Sequence, residues 1–202
     1  MNEKILVQKV LLLAICVCIS GCLQVYQHFF IYWRPSFFEE IWRWWTAHWV
    51  HVGWMHFVLN MVAFACLPFL FPRASNRYLI ILLLLLPPLV SLSFYFDHPD
   101  VEAYAGLSGV LHGMYVALAI YFFQYKEERI FSLMVLGFVA IKIVWELTLG
   151  SFATSELIGS PVLIEAHYIG AIWGALLSLM FIFYRLYFDK HHYIEKNIDV
   201  IE

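Results

Sequence analysis

Long apolar runs separated by short polar clusters organise this chain. Six stretches, near 10–30, 54–71, 78–96, 107–124, 130–149 and 166–188, carry few charged residues. Each is close to the ~20 residues that a helix needs to cross the hydrocarbon core of a bilayer. The clusters between them are too short to fold separately. The pattern therefore predicts one unit over residues 1–202, an all-α membrane protein with six transmembrane helices. Pro87 and Pro88 fall midway along the third stretch and predict a kink there, with neighbouring helices meeting the freed backbone groups. No internal repeat or low-complexity linker interrupts the pattern.

Composition agrees. The chain is 63% hydrophobic and 13% charged, against roughly 45–50% and 25% in soluble globular proteins. A soluble domain is excluded, as are collagen-like, disordered and secreted disulfide-rich classes. Cys16, Cys18, Cys22 and Cys66 lie in apolar helix-like sequence without paired spacing, so they read as small buried hydrophobes rather than a disulfide framework. One local pattern competes: Lys4, Lys9, a short apolar run and Ile19-Ser20-Gly21-Cys22 have the order of a cleavable lipoprotein signal. The apolar run continues through Val25, Phe29 and Phe30, which favours a retained helix.

The net charge of −3 says little, but the distribution of Lys and Arg is asymmetric. Lys4 and Lys9 precede the first stretch, Arg73 and Arg77 follow the second, Lys126 and Arg129 follow the fourth, and Arg185, Lys190 and Lys196 follow the sixth. If all six stretches span, these nine of twelve basic residues share one side. The opposite side has Arg34 and Arg43 in the 31–53 connection and none in 97–106 or 150–165. The positive-inside rule then places both termini in the cytoplasm. The 31–53 connection also holds Trp33, Trp42, Trp44, Trp45 and Trp49, five of the eight tryptophans, which predicts that it lies in the outer interface.

Candidate chemistry emerges when polar residues are placed by depth. Stretches two, four and six all run inward from the outer side, so their first turns share one level. His56 and Asn60 start the second, Ser108 the fourth and His167 the sixth. Polar residues inside a membrane are costly and usually face an interior cavity, so this coincidence marks a site. Ser108 sits in Gly106-Leu107-Ser108-Gly109 at a helix start whose unpaired N–H groups can receive an oxyanion. Val110 stands where a soluble hydrolase elbow would need Gly. Gly109 and Gly113 form one small-residue face, and Gly170 and Gly174 another. If those faces meet, Ser108 and His167 lie side by side, and a neutral imidazole can take the serine proton. His56 and Asn60, four residues apart on one helix, can donate hydrogen bonds to the developing charge.

These residues resemble the rhomboid family of intramembrane serine proteases. Trp42-Arg43 through His51, His56 and Asn60 is similar to the family's first outer loop and its His-x-x-x-Asn motif. Gly106-Leu107-Ser108-Gly109 is similar to its nucleophile motif, and Ala166-His167 with Gly170 and Gly174 to its catalytic histidine helix. The resemblance implies a six-helix rhomboid-like bundle with Ser108 as nucleophile and His167 as general base. It further implies His56, Asn60 and the Ser108 backbone N–H as oxyanion hole, supported by Gly106 and Gly109. Where the family tends to carry a Tyr stacked on the catalytic histidine, this chain has His112. Residues 106–113, Gly-Leu-Ser-Gly-Val-Leu-His-Gly, look more like the rhombosortase branch. That branch implies exported substrates ending in a Gly-Gly motif, one hydrophobic helix and a basic cluster. It also implies a bacterial inner-membrane location with the active site opening outward, and neither cofactor, metal nor nucleic acid as a partner.

Other readings use the same residues. His112, one turn from Ser108, is a rival base or a core histidine bonded to His167. His48 and His51 read as structural members of a polar interfacial loop. Lys142 and Glu146 form an i, i+4 ion pair within the fifth stretch, with a role at a substrate gate as an alternative. A general rhomboid protease cutting other single-span proteins is the alternative within the family. In a different class, the intramembrane histidines suit axial ligation of a haem. An inactive rhomboid-like binding protein would ordinarily lack the Ser or the His. Whether an acyl-enzyme would pass to water or to an amine is open.

Overall fold

Each apolar stretch is helical, and the departures from the sequence pattern lie at helix ends and in the connections. The computed structural model describes residues 3–198, with the side chains of 152–153 and 188–198 outside the description. Lys190 and Lys196, counted above among the basic residues, have their side chains outside it. The helices are α1 (Glu3–Gln24), α2 (Arg43–Thr46), α3 (Trp54–Leu70), α4 (Asn76–Asp97), α5 (Ser108–Phe122), α6 (Arg129–Leu149), α7 (Phe152–Ile158) and α8 (Ile164–Ile198). Two short strands, β1 (Tyr32–Trp33) and β2 (Ala103–Tyr104), pair antiparallel, Tyr32 opposite Tyr104. α1, α4, α6 and the first 24 residues of α8 are long and apolar enough to cross a membrane. α3 and α5 are apolar but shorter. The protein is thus an all-α, multi-pass membrane protein.

The first stretch, expected near 10–30, is a helix that stops at Gln24. There the Gln24 carboxamide binds both backbone groups of His51: Nε2 donates to the carbonyl and Oε1 accepts from the N–H, each at 2.7 Å. The chain then turns through a 3₁₀ segment at Gln27–Phe29. Lys9, expected ahead of the span, lies inside α1. It is tolerated because its ammonium donates to the Pro72 carbonyl at 2.7 Å, at the far end of α3. Nearby, Arg73 pairs with Glu128 at 3.1 Å, which joins the α3–α4 and α5–α6 turns at one end of the bundle. α7, within a segment expected to be loop, begins shortly after Gly150 ends α6 with φ 80°. Three cysteines expected to be buried, Cys18, Cys22 and Cys66, are exposed on helix surfaces.

The opposite end is capped by the 31–53 connection, which is more deeply embedded than an interfacial strap. His48 and His51 are fully buried. His48 Nε2 lies 3.1 Å from Ser91 Oγ, and that hydroxyl donates to the Trp44 carbonyl at 3.0 Å. Arg34 donates to the Phe94 and Tyr95 carbonyls at the end of α4, and Arg43 to the His28 and Ile31 carbonyls and the Glu40 carboxylate. Trp33, Trp42 and Trp45 are exposed, as residues facing a lipid interface would be. Trp45 also resolves the proline problem in α4, which is continuous through Pro87 and Pro88. Pro88 has no N–H for the Leu84 carbonyl, and the Trp45 indole N–H donates to that carbonyl instead, at 2.9 Å.

The closest helix pair is α5 with α8. A Cβ at Gly113 would stand 2.6 Å from the Gly170 carbonyl oxygen, and one at Gly109 2.7 Å from the Ala166 carbonyl oxygen. Added carbons at Gly170 and Gly174 would collide with the Gly109 and Gly113 carbonyls. Backbone meets backbone there, so dispersion rather than water expulsion holds the pair, as between helices in lipid. Gly170→Ala or Gly174→Ala should therefore lower the thermal unfolding midpoint markedly. Gly137→Ala on α6, where nothing lies within 4 Å of the added carbon, should be neutral or stabilising by up to about 1 kcal/mol, the helix advantage of Ala over Gly.

Burial pushes His48 and His51 from 6.5 down to about 3. Between those values the unfolded chain takes up protons that the folded chain does not, so their contribution is complete above about 6.5 and declines as pH falls toward 3. Unfolding in detergent micelles should show a midpoint that is lower at pH 5 than at pH 7.5, with a smaller difference in a His51→Phe variant.

Candidate active site

The site is built at the first turn of α5. At ~1.5 Å per residue, its 15 residues rise only about 22 Å, less than the ~30 Å of a bilayer core. Ser108, the first residue, is thus recessed within the bundle. The approach is set by Gly106, whose φ of 145° lies in the region that favours glycine. A Cβ there would also stand 2.7 Å from His56 Cε1. Gly106 N–H donates to the Ala47 carbonyl at 3.0 Å, and Tyr104 Oη–H to the Gly106 carbonyl at 2.6 Å, so cap and strand hold the turn. As in any helix, the N–H groups of the first turn have no intrahelical acceptor, and those of Ser108 and Gly109 are among them.

His167 Nε2 lies 3.0 Å from Ser108 Oγ, across the α5–α8 contact. Its ring is buried, 3% exposed. The other ring nitrogen, Nδ1, is 2.6 Å from Glu146 Oε2 on α6, whose second oxygen accepts from Lys142 Nζ at 2.5 Å. A carboxylate can only accept, so Nδ1 carries the proton and Nε2 offers its lone pair to the serine hydroxyl. Glu146, paired only with Lys142 in the sequence reading, therefore has a second partner. The signal available was a carboxylate inside a span, but its i, i+4 lysine accounted for it locally.

His112 stacks face to face on His167, centroids 4.2 Å apart and 16° between planes. Its Nδ1 lies 2.7 Å from the Ser108 carbonyl oxygen and donates to it. The two rings are stacked rather than hydrogen-bonded to each other, and that nitrogen of His112 serves the Ser108 backbone rather than its hydroxyl. The stack excludes only this pair as the two axial ligands of one haem, since rings in face contact cannot bind opposite faces of one porphyrin.

A cavity of about 510 Å³ opens beside Ser108 and His167, between α3, α5 and α6. His56, Asn60, Ser108, His112, Lys142 and His167 contribute to its wall, and the remainder is mostly apolar. Asn60 Nδ2 donates to the His56 carbonyl at 3.0 Å, leaving the second amide hydrogen for another acceptor. His56 stands edge to face with His51, centroids 5.1 Å apart. All four polar residues placed at one depth by the sequence thus share one wall. Among the described residues, no cluster of three or more His, Cys, Asp or Glu is arranged to hold a metal ion.

A family model described as the Rhomboid domain matches residues 39–184, well over half of the chain and all of the residues above. No curated protein matches.

Proposed function

Because the chain belongs to the rhomboid family, whose members are intramembrane serine proteases, we propose that it cleaves membrane-anchored exported proteins with a Ser108–His167 dyad. The observation that carries this reading is the 3.0 Å approach of His167 Nε2 to Ser108 Oγ on the wall of a largely apolar cavity. Ser108 Oγ attacks the scissile carbonyl carbon as its proton passes to His167 Nε2. The carbonyl oxygen, now negative, is met by the Ser108 backbone N–H, the Asn60 amide and the His56 ring. Collapse of the tetrahedral adduct breaks the C–N bond, and the imidazolium returns the proton to the departing amine. Water then attacks the acyl-enzyme by the same route and frees Ser108.

The substrate class is that of the rhombosortase branch: a Gly-Gly motif, then one apolar helix and a basic tail. The support is the segment Gly106 to Gly113 with His112 in place of the usual tyrosine, and the stacking of His112 on His167 as that tyrosine would stack. Small residues at the cleavage point suit a nucleophile recessed in a narrow wall. The whole of 1–202 acts as one domain of six spans in a bacterial inner membrane, both termini cytoplasmic and the active site open to the outer side.

Ser108→Ala and His167→Ala should each abolish processing of a co-expressed protein bearing such a tail, and Ser108→Ala should also abolish labelling by a fluorophosphonate. His56→Ala and Asn60→Ala should each slow cleavage by ~10²–10³, the usual loss for one oxyanion donor. Undiminished processing by the serine variant would overturn the assignment. Mass spectrometry of the new C-terminus distinguishes hydrolysis, which leaves a free carboxylate, from transfer to an amine.

His112→Tyr should retain measurable activity, since an aromatic ring still lies against the His167 imidazole. Loss of labelling in His112→Tyr together with full labelling in His167→Ala would instead make His112 the base.

A further inference from the structure

Glu146 is the buried charge that a two-residue mechanism leaves unexplained. It lies in the last turn of α6, only 4% exposed, where a carboxylate opposes the helix macrodipole and adds nothing to helix stability. Its pairing with Lys142 runs lysine first, the less favourable order for an i, i+4 pair. Neither feature is expected of a pair placed only to stabilise α6. The carboxylate divides its two oxygens between two partners, Oε1 to Lys142 Nζ at 2.5 Å and Oε2 to His167 Nδ1 at 2.6 Å. Lys142, about one-third exposed, contributes to the wall of the cavity beside Ser108 and to that of a second cavity, which shares Phe138 and Thr154 with the first.

From this geometry we propose that Glu146 is a positioning residue for His167, the third member of a Ser108–His167–Glu146 array, with Lys142 holding the carboxylate ionised and oriented. The proposal rests on the reading of Ser108 as nucleophile and His167 as base. Three consequences follow from the contacts. Glu146 keeps the proton of the resting imidazole on Nδ1, so that Nε2 is free to accept. It fixes the ring plane, with His112 stacked on one face. When Nε2 receives the Ser108 proton, the imidazolium is stabilised by a carboxylate already in contact with it. The carboxylate keeps its charge throughout, and the proton on Nδ1 stays there. In the resting state Lys142 and Glu146 neutralise each other. On attack the new positive charge on His167 is matched by the oxyanion, so the site never holds an unbalanced charge in a low-dielectric setting.

The rate at which a fluorophosphonate labels Ser108 tests this in the purified full-length chain, independently of the substrate. Alongside it, kcat and KM are measured on a quenched peptide with Gly-Gly, an apolar helix and a basic tail. Glu146→Gln should lower the labelling rate and kcat by up to roughly 10⁴, the loss seen when the carboxylate behind a catalytic histidine is neutralised. KM should stay within about threefold, since a group acting through His167 makes no uniform contribution to binding. Glu146→Asp should recover part of the loss. Lys142→Met/Glu146→Gln removes both charges, leaves no unpaired ammonium and covers the case in which Glu146→Gln does not fold. It should remain as slow as the glutamine variant. Labelling at the wild-type rate in the double variant would overturn the proposal and leave only an ion pair. Failure of the wild-type chain to label at Ser108 would instead overturn the nucleophile assignment beneath it.

Discussion

The contact on which the site depends is backbone against backbone, Gly109 and Gly113 of α5 on Ala166, Gly170 and Gly174 of α8. Ser108 and His167 are the neighbours of Gly109 and Ala166 in the chain, so the approach of the two helices brings the hydroxyl and the imidazole to 3.0 Å. A single methyl group at Gly170 or Gly174 has nowhere to go. In lipid, where water expulsion does not drive helices together, close packing of small residues is the available source of affinity. The same residues therefore hold the bundle and set the distance from Ser108 to His167.

Around that contact the protein meets the cost of polar groups in an apolar surrounding by giving each several roles. The Trp45 indole faces outward and also satisfies a carbonyl freed by Pro88. Gln24 ends α1 and closes on the His51 backbone. Arg34 and Arg43 donate to carbonyls of the cap and of the end of α4. The cap in turn fixes the Gly106 turn through the Ala47 carbonyl, and with it the start of α5. Burial of His48 and His51 is compatible with this design because neutral imidazoles carry no charge to desolvate.

α6, like α1, is little buried by the rest of the bundle. Ile130, Leu133, Val144 and Leu147 on its surface are exposed, as on a helix with one face toward lipid. Its inward attachment includes the Glu146 carboxylate, which meets His167 from the side opposite Ser108. His167 is consequently held by three helices: its own α8, α5 through Ser108 and His112, and α6 through Glu146.

Membrane class, apolar helices and the four polar positions at one depth were all legible in the sequence. Hydropathy and the alternation of direction are one-dimensional properties, and His56, Asn60, Ser108 and His167 each begin an apolar run. The small-residue faces were legible for the same reason, since glycines four apart fall on one side of a helix. What sequence spacing could not reveal was decided by contacts between distant segments. α1 ends at Gln24 because His51, 27 residues on, supplies its partners. The Trp-rich connection buries His48 where α4 offers it Ser91. Glu146 reaches His167 across the α7 excursion, 21 residues apart, although its i, i+4 lysine accounts for it locally. Periodicity tells which face of a helix is apolar. Only packing sets the rotation and crossing of helices, and a carboxylate reaches one imidazole rather than another through that rotation.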